Sequence, residues 1–167
     1  AAGLERVIVS TYQSVSGAGK DGMDELRQVS KKAIDEDGCN DHSCFNRPIG
    51  FNLIPHIDVF MDDEEVKDYT KEEVKLIKEP RKILHLPDLK MTATAVRVPV
   101  MVGHSESVTI DFKQPITPEN CAKALSETPD VIVAKDTNDY HTPLETAGTD
   151  PVYVSRIRRD TSNPETG

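Results

Sequence analysis

A 167-residue chain with 20 Lys and Arg against 29 Asp and Glu carries a formal charge of −9 at pH 7, the wrong sign for a binder of the phosphate backbone, so nucleic acid is not an expected partner. The length fits one domain that buries about two-thirds of its unfolded surface, and no run approaches the ~18 apolar residues of a membrane span. The three cysteines are Cys39, Cys44 and Cys121; an odd number argues against a disulfide framework and for a reducing compartment, the cytoplasm or an organelle lumen of similar redox state. No charged-then-apolar leader precedes the first strand-like run, which leaves targeting open.

Glu5 to Tyr12 (ERVIVSTY) is β-branched and apolar and reads as a buried strand that delivers Gln13 to its C-terminal edge. The small-residue loop Ser14 to Gly19 (SVSGAG) follows. Met23, Leu26, Val29, Ala33 and Ile34 then recur at helical spacing, an amphipathic helix of about four turns. Free N–H groups of a loop entering a helix can hold a phosphate, but GAGK lacks the Ser or Thr and the earlier Gly of a P-loop, and a plain turn is the simpler reading. Asp35 to Pro48 is acidic and polar and reads as a surface loop. Its Cys39, His42 and Cys44 are metal-ligand types, yet a structural zinc site takes four ligands, so incidental thiols and no metal are expected.

Phe51 to Phe60 (FNLIPHIDVF) contains Pro55 and reads as an edge strand or an extended segment crossing the core, with His56 as a hydrogen-bonded structural residue. Asp62 to Glu65 reads as a solvated loop. Thr70, with Glu73 three residues on, is a capping box that starts a helix. Glu72 and Lys75 share one face of it, Val74, Ile77 and Ile83 lie toward the other, and Pro80 should kink it or divide it in two.

Met91 to Phe112 (MTATAVRVPVMVGHSESVTIDF) reads as two strands joined at Val102-Gly103. In the first, Ala93, Ala95 and Arg97 share a face, leaving room beside the guanidinium; in the second, His104, Glu106, Val108, Ile110 and Phe112 do, with the apolar end toward the core and His104 at the opening. As a hairpin this brings Arg97 and His104 together, either as an anion holder and a general base or as a surface Arg and a hydrogen-bonded His. Ser105 is a poor nucleophile, because Ser107 stands where G-x-S-x-G needs its last glycine. Thr117-Pro118-Glu119 opens a helix with Cys121, Ala124 and Leu125 inward. Val131 to Val133 and Val152 to Ile157 read as strands flanking a long loop, and Arg156, Arg158 and Arg159 precede a polar tail, Asp160 to Gly167.

About six strands and three helices, without strict βαβ alternation, make an α+β fold: a mixed, largely antiparallel sheet with helices on one face. The other face needs a cover, a partner subunit or another domain.

Taken together, VSTYQSVSGAGKDGMDEL, FNLIPHIDVF, YTKEEVKLIKE, RKIL, TATAVRVPVMVGHSESVTIDF, TPL, AG and VYVSRIRRD resemble the C-terminal half of the aspartate-β-semialdehyde dehydrogenases. The resemblance spans nearly the whole chain outside residues 35–48. It implies a substrate-binding and dimerisation domain over 1–159, like the C-terminal domain of glyceraldehyde-3-phosphate dehydrogenase, followed by the polar tail 160–167 of a truncated C-terminus. It implies NADP-dependent reductive dephosphorylation of β-aspartyl phosphate to the semialdehyde, in aspartate-family (lysine, threonine and methionine) biosynthesis, by a cytoplasmic homodimer or, when complete, a tetramer. Residue by residue, Gln13 would orient the substrate, and Ser16 and Gly17 would lie against the nicotinamide. Glu72 would meet the substrate amino group, Lys75 its phosphate and Arg97 its α-carboxylate, while His104 would be the acid/base group. An Arg fork suits a carboxylate, and an imidazole exchanges protons near neutrality.

The departures carry equal weight. The dinucleotide-binding half of the family, its nucleophilic cysteine and its last helix are not in these 167 residues, so the chain alone is expected to be a catalytically silent fragment. His56 stands where the family usually has Gln, and Pro80 interrupts the helix of Glu72 and Lys75, changes expected to bear on phosphate geometry. An N-acetyl-γ-glutamyl-phosphate reductase relative and a non-catalytic dimerisation module are the alternatives; the SGAG, EEVK and GHSES blocks favour the aspartyl enzyme.

Overall fold

A computed structural model describes residues 2–36 and 40–167. Cys39 lies outside the described residues, and with it the three-ligand grouping in the 35–48 loop. Among the described residues are five strands, β1 (Leu4–Gln13), β2 (Lys90–Arg97), β3 (Ser105–Phe112), β4 (Val131–Val133) and β5 (Val152–Val154), and four α-helices, α1 (Gly19–Asp35), α2 (Lys71–Ile83), α3 (Pro118–Ser126) and α4 (Pro143–Thr146). The fold is α+β with a mixed, mostly antiparallel sheet. One sheet has the order β2-β1-β3, and β4 and β5 form a second, parallel pair. The chain divides into two units, Ile8–Val108 and a second comprising Ala1–Val7 with Thr109–Gly167; β1 and β3 contribute residues to both.

The sheet order corrects the hairpin expected at Val102-Gly103. β1 lies between β2 and β3, so the segment 98–104 is a crossing over the end of β1. Its backbone is used there: Val98 N–H donates to Gln13 O (3.0 Å), while Val100 O and Met101 O accept from Val15 and Ser16 N–H (2.9 and 3.1 Å). A two-residue turn signal does not distinguish a hairpin from a crossing, because the middle strand is supplied from far away in sequence.

In the Ile8–Val108 unit, alternate residues of the strands turn inward. Val9, Thr11 and Gln13 of β1 and Ala93, Ala95 and Arg97 of β2 are buried, whereas Tyr12 is 40% exposed. Val9, Ile77 and Ala93 form one apolar cluster with α2, and Val15, Leu26, Ile49 and Ile54 form another with Met23, Phe45 and Met101. Burying each such Val, Leu or Ile contributes about 1.5–3 kcal/mol. The expected helix faces hold at Leu26, Val29, Val74 and Ile77 but not at their ends: Ile34 and Ile83 are exposed, each in the last turn of its helix. Pro80 does not divide α2, which continues to Ile83, and Leu84 N–H closes onto Pro80 O (2.9 Å).

Residues 51–60 form an extended segment rather than a ladder strand, held by single bridges at Ile54 to Arg97 and at Phe60 to Thr70. The Ile54 bridge and a side chain of α2 together engage the outer edge of β2 over its last residues. Arg97 N–H donates to Ile54 O (2.9 Å), and two residues earlier Ala95 N–H donates to Glu73 Oε1 (3.0 Å). An unpaired edge would be open to another strand. His56 is hydrogen-bonded as expected, with Nδ1 2.9 Å from Asn46 Nδ2, and it packs on Phe60.

In the unit of residues 1–7 and 109–167, the expected core at the end of β3 is only half-buried at Ile110 and Phe112, and α3 buries no residue fully. Cys121 is half-buried, and burial pushes its thiol up from the ordinary value. The tail 160–167 is folded back onto β3: Phe112 N–H donates to Thr166 O (3.0 Å) and Asn163 Nδ2 to Asp111 Oδ1 (2.8 Å).

Candidate functional site

The seven residues singled out from the sequence all lie in the Ile8–Val108 unit, around the end of β1. Its period-two pattern leaves Gln13 buried and facing the helices, and the next residue, Ser14, is fully buried. A 3-10 turn, Val15–Ala18, then leads into α1. The N–H groups of Ser14, Val15 and Ser16 are all engaged within the protein, so this stretch of the loop is not the open phosphate cradle that its composition permits.

Ser14 is where Arg97 and His104 converge. Arg97 Nη1 donates to Ser14 O (2.7 Å), and the guanidinium lies 5.7 Å from the ring centroid of Phe45, within cation–π range. Burial draws the Arg97 guanidinium down from its ordinary value, and the carboxylate of Glu72 opposes that. The His104 ring, exposed at the other end of the crossing, turns Nδ1 toward Ser14, 3.2 Å from its N–H and 3.3 Å from its Oγ. Ser14 Oγ is in turn 2.9 Å from Ser16 Oγ. Gly17 completes the group by having no side chain: a Cβ there would stand 3.1 Å from Arg97 Nη1 and 4.0 Å from His104 Cε1.

A second group adjoins through Gln13. Its Nε2 donates to Glu72 Oε1 (3.2 Å), and Lys75 Nζ donates to Glu72 Oε2 (3.0 Å). The i,i+3 pairing expected on α2 is therefore present, with a partner that the sequence did not reveal. Burial pushes the Glu72 carboxyl up, but the hydrogen bonds from Lys75 and Gln13 and the charges of Lys75 and Arg97 outweigh it and hold the group below the ordinary carboxylate value. Lys75 is raised by its bond to Glu72.

Three supporting residues escaped sequence reasoning, Ser14, Phe45 and Glu25, and Glu73, expected as a helix cap, has a tertiary partner that the sequence did not reveal, Ala95 N–H. Glu25 is buried on α1, and its Oε2 accepts from Ser43 N–H (2.9 Å), Ser43 Oγ (2.7 Å) and Cys44 N–H (2.6 Å). This ties residues 43–44 to the helix and carries Phe45 to Arg97, so the loop is anchored rather than merely solvated. A carboxylate inside an otherwise apolar helical face was the one available signal. Among the described residues, no group of three or more His, Cys, Asp or Glu side chains is arranged to hold a metal ion, and no helix is long and apolar enough to cross a membrane.

Residues 1–166 match the family model described as semialdehyde dehydrogenase, dimerisation domain. The chain is 43% identical over 161 residues to aspartate-semialdehyde dehydrogenase of Aquifex aeolicus, covering 95% of this chain and 46% of that protein. It is 45% identical over 163 residues to the Campylobacter jejuni enzyme, covering 94% and 45%. Among solved structures it superposes on aspartate semialdehyde dehydrogenase II of Vibrio cholerae with a TM-score of 0.88 and 40% identity, over 97% of this chain and 47% of that one. The chain thus spans about half the length of the relatives it matches. A match along the whole chain, in both sequence and fold, shows that it belongs to the semialdehyde dehydrogenase dimerisation-domain family.

Proposed function

We propose that this chain is the substrate-binding and dimerisation part of an NADP-dependent aspartate-semialdehyde dehydrogenase, with residues 1–159 as that domain. The observation that carries the reading is the convergence of Arg97 and His104 on Ser14 beside the Gln13–Glu72–Lys75 group. A small substrate with a carboxylate, an ammonium and a phosphate needs a planar cationic fork, a carboxylate and a second cation, and these are the types present. Arg97 receives the α-carboxylate, Glu72 the amino group and Lys75 the phosphate, while Gln13 orients the reacting carbon.

His104 moves the proton. Ser14 offers its Nδ1 both a donor, the backbone N–H, and an acceptor, Oγ. For Nε2 to take up or release the proton, Nδ1 carries the other one, and Ser14 Oγ is the acceptor that holds the ring in that tautomer. The attacking thiolate belongs to a part of the protein outside these residues, so the isolated chain is inactive. NADP, when bound, supplies hydride chemistry. Ser16 and Gly17 would face its nicotinamide, and the fit is favourable: Gly17 is exposed and has no side chain next to His104, so a flat ring can approach. A second copy would cover the sheet face opposite the helices, where Tyr12 and Thr94 are exposed, and the complete protein would act in the cytoplasm.

The test is phosphate-dependent reduction of NADP by the complete protein with aspartate semialdehyde, compared with the isolated chain and with His104→Ala. Activity in the complete protein alone, lost in the variant, is the expected result. An active isolated chain, or a complete protein that prefers N-acetylglutamate semialdehyde, would overturn the reading.

A further inference from the structure

Glu72 and its chain neighbour Glu73 have different surroundings. Glu73 is 8% exposed, and each of its oxygens receives a backbone N–H: Thr70 N–H donates to Oε2 (2.8 Å) and Ala95 N–H to Oε1 (3.0 Å). The Thr70 bond belongs to the capping box and would form in an isolated helix. The Ala95 bond is tertiary. It fastens the first turn of α2 to the outer edge of β2, two residues before Arg97 and within one turn of Glu72 and Lys75.

Two N–H donors on opposite oxygens require an acceptor at both ends. A carboxylate meets that demand. Glutamine of the same shape does not, because its NH2 group would face one of the N–H groups with no lone pair to offer. In a buried place, donor against donor leaves an amide unsatisfied, and the helix shifts to relieve it.

We propose that Glu73 is a positioning residue that fixes the spacing between the Glu72–Lys75 pair on α2 and Arg97 on β2. This rests on the reading of those groups as receivers of the amino, phosphate and carboxylate ends of one substrate, whose simultaneous capture depends on that spacing. Glu73 touches no substrate; it sets the distance between residues that do.

The experiment compares Glu73→Gln with Val74→Ala in the complete protein. Val74 is a buried neighbour on α2 whose truncation loosens packing without touching either N–H. For Glu73→Gln, KM for both semialdehyde and phosphate is expected to rise about tenfold, with kcat changed less than about threefold. Hydrogen exchange at the Ala95 amide should accelerate at least as much. Val74→Ala should leave both KM values and the Ala95 amide near those of the parent at a similar loss of thermal stability. Unchanged KM values in Glu73→Gln, or an equal rise in Val74→Ala, would overturn the proposal. Should Glu73→Gln fail to fold, Glu73→Asp decides, since it keeps two acceptors but falls one methylene short: raised KM values support the proposal and parental ones overturn it. Amide exchange is read without turnover, so loss of the Ala95 anchor registers even if the parent proves to act on another substrate.

Discussion

Ser14 meets the His104 ring twice at the same nitrogen, with its backbone N–H 3.2 Å and its hydroxyl oxygen 3.3 Å from Nδ1. Exchange of a proton at Nε2 leaves Nδ1 protonated in both forms of the ring, so the hydroxyl oxygen is the contact that holds it through the cycle, whereas the backbone N–H suits the tautomer in which Nδ1 is bare. The two residues are ninety apart in sequence.

Ser14→Ala keeps the N–H and removes the acceptor. The expected outcome is a fall in kcat of about tenfold, the worth of one hydrogen bond made to the protonated ring, with KM for semialdehyde nearly unchanged. Steady-state kinetics of the complete protein check it; an unchanged kcat would remove Ser14 from the proton cycle.

Gly17→Ala places a methyl group 3.1 Å from Arg97 Nη1. Because Nη1 is bonded to Ser14 O and the side chain is buried, the guanidinium has little freedom to yield. Overpacking of this kind costs about 1–3 kcal/mol, so a rise in KM for semialdehyde of about five-fold or more is expected, with cofactor KM also affected. Parental values for both would show that the turn relaxes instead.

Glu25 ties residues 43–44 to α1. Burial pushes its carboxyl up, but the hydrogen bonds from Cys44 and Ser43 prevail and hold it below the ordinary value of 4.5. With a depressed folded pKa, the unfolded chain binds more protons in the window below about pH 4.5, so this contribution to stability is present above that window and is lost as pH falls through the folded value. Glu25→Gln should lower stability by about 1–3 kcal/mol at pH 7 and flatten the acid side of the stability curve. Urea unfolding at several pH values measures both, and an acid limb as steep as the parent's would contradict the assignment.

Pro80 stands inside α2 without an N–H to give to the residue four before it. The helix ends three residues later, so the interior penalty of about 3 kcal/mol applies only in part, and Pro80→Ala should stabilise the protein by about 1 kcal/mol. A higher thermal midpoint with unaltered phosphate KM is the expected result. A raised phosphate KM would mean that the proline helps to aim Lys75.

Local signals determined a good deal by themselves. The capping box at Thr70 and Glu73, the strand before Gln13, the helix after the small-residue turn and the i,i+3 pair of Glu72 and Lys75 rest on contacts between near neighbours, which propensity and periodicity encode. The motif blocks identified Arg97 and His104 as a pair. Only the tertiary structure decided how that pair is made: β1 enters between β2 and β3, so the meeting point is Ser14 rather than a hairpin. It likewise turned Glu73 from a helix cap into the anchor of a strand edge, and Glu25 into the tether of a loop. Each of these depends on a partner 18 or more residues away, and the demand that buried N–H groups find acceptors leaves no periodic trace in a sequence.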